Sequence, residues 1–518
     1  MQAPLYKKVK KIMRIAPDSD IYFIMSVPID NRYINTIYFA NLQAQENYFL
    51  SKVAYQLTNQ TYVRVNNNRI SCSIPADTLR GCNYLMFRNT SFSGKWFYAF
   101  ITNVEYDSNG TTLVDFELDV IQTWQRDIKY HQCFIERKHF ATDRPGDNVQ
   151  PEPIDIGDII CDTIATTGLF DSYVCVITTG EPNSDGTYGT YQGGLFSGLT
   201  YIAALIDDAS QIKQLQDFIK SAVEANKFDS IVNCFVFPTS FWTTESMPVT
   251  KTFKVQRPTK IGTYTPINKK LLTYPYCYLS INSEGKDGIY RWEWFDELED
   301  QPGVIGFTLI GSGTGTPEIY CYPYNYNGST GVNYNEGINM TQFPQIGMAI
   351  DSFKAWIAQG GFFSTGIQIA GSALGAGASI ATGNIIGTAS SALGAANAVN
   401  SLIQAQNKPA QTKGNTNGSV EIASRTKDFY VRYMCVNPEQ AKIIDDFFSM
   451  YGYACNKIEY PRFINRPHWN YIKTRDCTIS GKIPSGDIRK ICEIFDHGIT
   501  WWKNGDEIGN YTLDNSPV

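Results

Sequence analysis

Residues 355–407 contain no Asp, Glu, Lys, Arg or His across 53 positions. A water-soluble domain rarely runs so far without a charge, so this stretch limits what the chain can be. Nine of its residues are Gly and thirteen are Ala. Among them stand bulky apolar residues: Trp356, Phe362, Phe363, Ile367, Ile369, Leu374, Ile380, Ile385, Ile386 and Leu393. Small residues recur every fourth position at Gly371, Gly375, Ser379, Gly383, Gly387 and Ser391. On a helix that spacing makes a smooth ridge along which a second helix can approach closely.

A turn at Gly383-Asn384 would divide the stretch into halves of roughly 20 residues, each long enough to span about 30 Å as a helix. Yet Gly and Ala bury little apolar area, and Gly weakens a helix by about 1 kcal/mol relative to Ala. The physical reading is a conditional inserter, kept from lipid in one state and released into it in another. Two other readings compete. A flexible linker has no use for paired phenylalanines and isoleucines. A pair of helices buried in a soluble core fits the small residues equally well.

The rest of the chain reads as mostly β. Its 32 Tyr and 29 Phe, with only 18% charged residues, suit strand-rich, interface-forming structural proteins. A net charge of -6 argues against wrapping DNA with the whole surface. The twelve cysteines stand singly, with no CxxC, and only four His are present. No zinc-like spacing results, so neither a metal nor a cofactor is expected. Scattered thiols fit assembly in a reducing cytoplasm. The basic run Lys7–Arg14 is followed by no apolar segment and does not read as a secretory leader.

Local signals place the elements. Strand patterns and one helix over 42–57 fill the first 124 residues. The clearest unit is a hairpin over 95–124 turned at Asn109-Gly110. On its return strand Val114, Phe116, Leu118 and Val120 face one way, and Asp115, Glu117 and Asp119 face the other, wet side. Three uses for this acidic row are open: solvated outer surface, the lining of a water-filled bore, or a carboxylate pair for polysaccharide cleavage. The last is disfavoured, since neighbours on one strand face do not flank a cleft. Residues 139–158 read as loop, 208–224 as an amphipathic helix, and 162–170, 171–180 and 229–238 as strands. After the uncharged stretch, Asn437 caps a helix that Pro438 begins and Gly452 ends. A second helix covers 485–498. The expected parts are an N-terminal β-rich part (1–124), an inserted or second domain (125–265), a further β-rich part (266–350), the apolar segment (351–418) and a C-terminal α+β part (419–518).

Several blocks carry a resemblance: VPIDNRYINTIYF, the 95–124 hairpin, YPYC at 274–277, SMYGYACNKIEYP, NYIKTRDCTISG, and IFDHGITWW with IGNY. Through them the chain resembles the tail knob (distal tail tube) proteins of small short-tailed phages infecting Gram-positive bacteria. The motifs do not extend over 125–265. The resemblance implies tandem tail-tube-like β domains in an α+β, mostly β chain with a long apolar Gly/Ala-rich loop. It implies a homohexameric conduit for genome ejection in the virion tail, assembled in the host cytoplasm and without catalytic residues. The implied neighbours are the upper tail (lower collar) protein, a tail-tip wall-degrading protein, the host membrane, and DNA passing without sequence-specific binding. The apolar loops would plug the lumen and later exit to form a membrane pore. Against this stand two other functions: a free-standing pore-forming toxin, and a wall hydrolase using Asp115 with Glu117 or Asp119.

Overall fold

The computed structural model describes residues 19–60, 68–89, 94–108, 110–182, 198–205, 208–225, 227, 230–242, 250–283, 286–295, 302–310, 318–326, 345–347, 428–462 and 465–517. They divide between two compact units. The first draws on Met1–Asp155, Ile267–Lys270 and Lys442–Val518, the second on Ile156–Pro266 and Leu271–Ala441.

In the first unit the chain runs β1 (Ser19–Met25), β2 (Asn35–Ile37), α1 (Leu42–Leu50), β3 (Val53–Gln60), β4 (Arg69–Cys72), α2 (Ala76–Leu79), β5 (Cys82–Asn89), β6 (Trp96–Ser108), β7 (Thr111–Leu118), α3 (Val120–Trp124), β8 (Lys129–Tyr130) and β9 (Cys133–Lys138). The second unit supplies β10 (Ile159–Thr166), β11 (Tyr173–Thr179), β12 (Thr200–Leu205), α4 (Ala209–Glu224), β13 (Ile231–Pro238), β14 (Thr250–Val255), β15 (Cys277–Ser283), β16 (Lys286–Tyr290), β17 (Gly303–Ile310), β18 (Glu318–Pro323), β19 (Gln345–Gly347) and β20 (Tyr430–Val436). Then follow α5 (Pro438–Tyr451), β21 (Tyr453–Glu459), β22 (Trp469–Arg475), β23 (Ile479–Ser480), α6 (Ser485–His497) and β24 (Ile499–Trp502).

The first unit has a six-stranded sheet, β3-β1-β5-β6-β7-β4, and a five-stranded sheet, β2-β24-β22-β9-β21. The expected hairpin is β6–β7, and Gly110 adopts the left-handed φ of 87° that its turn requires. Along β7 the alternation holds: Val114, Phe116 and Leu118 are buried while Asp115 and Glu117 are not. Phe49 from α1 stacks on Tyr84 at 5.2 Å and extends the core that Phe23, Phe100, Ile491, Phe495 and Trp501 share.

The helix expected over 42–57 is half right. Asn41 caps it, its side chain accepting a hydrogen bond from the Ala44 N–H, but it stops at Leu50. Val53, Tyr55 and Leu57 then alternate as strand β3, pairing with β1. In this segment β-branched and aromatic residues at a spacing of two outweigh the helical stripe.

The second unit has sheets β10-β20-β15-β16, β12-β11-β13 and β14-β17-β18-β19. The first and third meet in one core with Leu279, Trp292, Ile305, Phe307, Cys321 and Val431. Helix α4 packs on β12 and buries Leu215 and Ile219.

Both C-terminal helices form where expected, although α6 begins after Pro484 without a side-chain cap and ends at Gly498, whose φ is 97°. The Asn437 side chain accepts from the Glu439 N–H at 3.0 Å, and Gly452 ends α5 with a φ of 66°. Ile444 and Phe448 are buried, whereas Tyr451 lies at the rim. Helix α5 also buries Asp445, whose carboxylate accepts the Ile267 and Asn268 N–H groups at 2.7 and 2.9 Å. A second buried carboxylate, Glu152, is shared by Arg137 and Lys270 and accepts the Ala454 N–H at 2.9 Å. Desolvation pulls Lys270 below its ordinary range, against the pull of Glu152. Removing one member of such a cluster leaves uncompensated charge in the core. Glu152→Ala should therefore lower unfolding stability by about 3–5 kcal/mol in denaturant titration, with Glu152→Gln losing less.

Candidate functional site

The expected membrane-active residues Trp356, Phe362, Phe363, Ile367, Ile369, Leu374, Ile380, Ile385, Ile386 and Leu393 lie outside the described residues. So do the ridge residues Gly371, Gly375, Ser379, Gly383, Gly387 and Ser391. The strands on either side of them are described. Before the stretch comes β19, at the edge of its sheet against β18; after it comes β20, hydrogen-bonded on both sides to β10 and β15. Re-entry is pinned at Asp428, whose carboxylate accepts from Thr167 Oγ1, the Gly168 N–H and the Phe429 N–H. Among the described residues no helix is long and apolar enough to cross a membrane.

The acidic row is described, and it is not a row of free charges. Arg69 stands directly opposite Asp115 in the β4–β7 pairing. Its Nε and second guanidinium nitrogen reach the two Asp115 oxygens at 2.5 and 2.9 Å. The hydrogen bond from Arg69 holds Asp115 below the usual carboxylate range. Glu117 pairs with Lys490 of α6 and accepts from Asn31 Nδ2 at 2.8 Å. Burial pushes Glu117 upward, but these two donors outweigh it and keep it low. Both carboxylates are thus held ionised and neutralised, and neither offers a proton for acid catalysis.

Asp119 does not belong to the row. Strand β7 ends at Leu118, and Asp119 is 1% exposed. It caps α3, accepting the Ile121 and Gln122 N–H groups at 3.1 and 3.0 Å and the Tyr84 hydroxyl at 2.9 Å. The period-two reading carried on through Asp119 and Val120, past the point where the chain turns into a helix. Burial raises Asp119 to about 6, against hydrogen bonds that lower it. A raised, buried carboxyl resembles an active-site acid. However, Asp119 is not among the residues that line the described recess of about 250 Å³ formed by Arg32, Tyr33, Lys490, Glu493, Ile494, His497 and Gly498. His139 is likewise a core residue. The Tyr471 N–H donates to its Nδ1, its Nε2 faces the Ser449 carbonyl, and burial lowers it to about 3, so it is neutral.

Sequence reasoning passed over Arg69 and Lys490. Arg69 was legible, as the outward residue beside inward Ile70 and Cys72. Lys490 was not, since nothing local ties α6 to β7.

Between about pH 4 and 6 the folded chain binds a proton at Asp119 that the unfolded chain has released. The stability this adds at low pH is lost as pH rises through about 6, by at most about 3 kcal/mol. Melting curves of the wild type and Asp119→Asn should therefore diverge across pH 4–6.5. Parallel curves would remove the buried-acid assignment.

Two family models match the chain. Residues 17–129 match the caudoviral major tail protein N-terminus. Residues 243–516 match the C-terminal domain of the Bacillus phage phi29 tail knob protein gp9. The tail knob proteins gp9 of Bacillus phages PZA and B103 are each 26% identical, over 96% of this chain and 98% of theirs. That coverage runs through 125–265, where the motifs had not reached. The structure of the bacteriophage C1 tail knob protein, gp12, superposes with a TM-score of 0.62 at 14% identity, covering 96% of this chain and 99% of that one. That likeness bears out the mostly β tail-knob fold. The curated relatives are structural tail proteins, not enzymes. With the gp9 model matching more than half its length, the chain belongs to the phage tail knob family.

Proposed function

We propose that this tail knob protein forms a hexameric conduit through which the genome leaves the particle, and that residues 355–407 penetrate the host membrane. The parts at 1–124, 266–350 and 419–518 would build the conduit wall, and 125–265 its outer part. The observation that carries the reading is the absence of any charged residue over 53 positions in a chain of this family. Six marginal segments brought together can cooperate where one would fail. Small residues let them pack closely around an opening. Transfer from a plugged arrangement to lipid gains about 25 cal/mol per Å² of additional apolar area buried. The release is a population shift once the plugged state is lost.

Arg69, shared by Asp115 and Glu105, and Lys490 on Glu117 offset much of the negative charge of that face. Such a wall neither grips nor repels a passing polyanion strongly. Assembly in the host cytoplasm fits the free thiols of the described cysteines. The upper tail protein and a wall-degrading tip protein are the expected neighbours.

Deleting 355–407 should leave particles that assemble and adsorb but fail to deliver DNA, and a peptide of that segment should release dye from liposomes. Wild-type plating by the deletion phage would end the membrane reading. Lysis of cells by the purified protein without particles would favour a toxin.

A further inference from the structure

Cys277 and Cys435 are partners in the register of β15 and β20. The Val436 N–H donates to the Tyr276 carbonyl at 2.9 Å, which makes 276 and 436 a hydrogen-bonded pair. The next pair along, 277 and 435, is therefore the closely spaced kind with no hydrogen bonds between its own backbones. Such residues have Cα atoms about 4.5 Å apart and side chains on one face. Disulfides span Cα separations of roughly 4.4–6.8 Å, so a pair of this kind lies within bridging distance. Both side chains are enclosed, at 2% and 4% exposure.

We propose that Cys277 and Cys435 are a latent cross-strand disulfide, closed by peroxide after the protein has left a reducing cytoplasm. One thiolate attacks hydrogen peroxide, giving a sulfenic acid and hydroxide. The second sulfur attacks the sulfenic sulfur and expels the oxygen as water. In total two thiols and one peroxide give one disulfide and two waters, with both electrons passing to the peroxide. Burial pushes the Cys277 thiol up to about 12 and Cys435 to about 11. Thiolate is therefore scarce, and the pair stays reduced through assembly and closes slowly.

The link would tie the strand that follows the uncharged stretch to one that precedes it. A displaced stretch then cannot unzip β20 from β15. This holds whether or not the stretch enters lipid, so it stands apart from the membrane reading.

Cys161 provides an internal control. It pairs in register with Met434, one residue along β20, so it points to the opposite face, and it is exposed. The test treats folded full-length protein with hydrogen peroxide, quenches with catalase, denatures in iodoacetamide and maps peptides without reduction. The expected product joins the Cys277 and Cys435 peptides, about 2 Da lighter than their sum and separated by reductant. Cys161→Ser should leave that product unchanged, and Cys435→Ser should abolish it. Recovery of both cysteines as alkylated thiols or as separate sulfinic acids would overturn the proposal, as would linkage of either to another cysteine. The wild-type map decides the matter even if a variant fails to fold.

Discussion

Strand pairing across very long chain separations holds both units together. In the first unit Asn35 pairs with Thr500 and Lys138 with Ile472; in the second, Cys277 pairs with Cys435. Each of these ladders joins chain from before the uncharged stretch to chain from after it. Closing a long loop is not much dearer than closing a moderate one, since each doubling of length adds only about 0.6 kcal/mol. The fold therefore tolerates a large insertion at that point, provided the sheets on both sides are strong. The cost falls on rate, because non-local pairing must wait for distant segments to meet.

Buried polar groups sharpen what the sheets begin. Glu152 gathers Arg137, Lys270 and the Ala454 N–H, while Asp445 takes hold of Ile267 and Asn268. These contacts fix the short segment Ile267–Lys270 within the first unit, although the chain on either side of it belongs to the second. Gln122 does similar work near the middle of the same core, donating to Thr36 Oγ1 and the Ile37 carbonyl and accepting from Gln45. Such clusters add less net stability than hydrophobic residues would, but each permits one arrangement of its partners.

Local chemistry was the legible part of the sequence. The β6–β7 hairpin, the α5 cap and the amphipathic α4 form as their residues indicate. Reading failed where two local rules overlapped: Val53 and Leu57 fit both a helical stripe and a strand. It failed again where one element gave way to the next, as at Asp119, whose alternation with Glu117 continued on paper after the strand had ended. Short strands such as β12 and β14 carried too little pattern to be found. Of the partners of the acidic residues, Arg69 was legible because its own strand's alternation points it outward. Lys490 reaches Glu117 through tertiary packing, which no spacing rule encodes. The buried carboxylates were hidden for the same reason, since their partners lie in three separate parts of the chain.

The tethering of β19 and β20 in one unit has a topological corollary. A segment fastened at both ends to the same body cannot be threaded end-first through anything. Whatever path residues 355–407 take away from that body, they must retrace the distance and come home. Any barrier they traverse is crossed an even number of times.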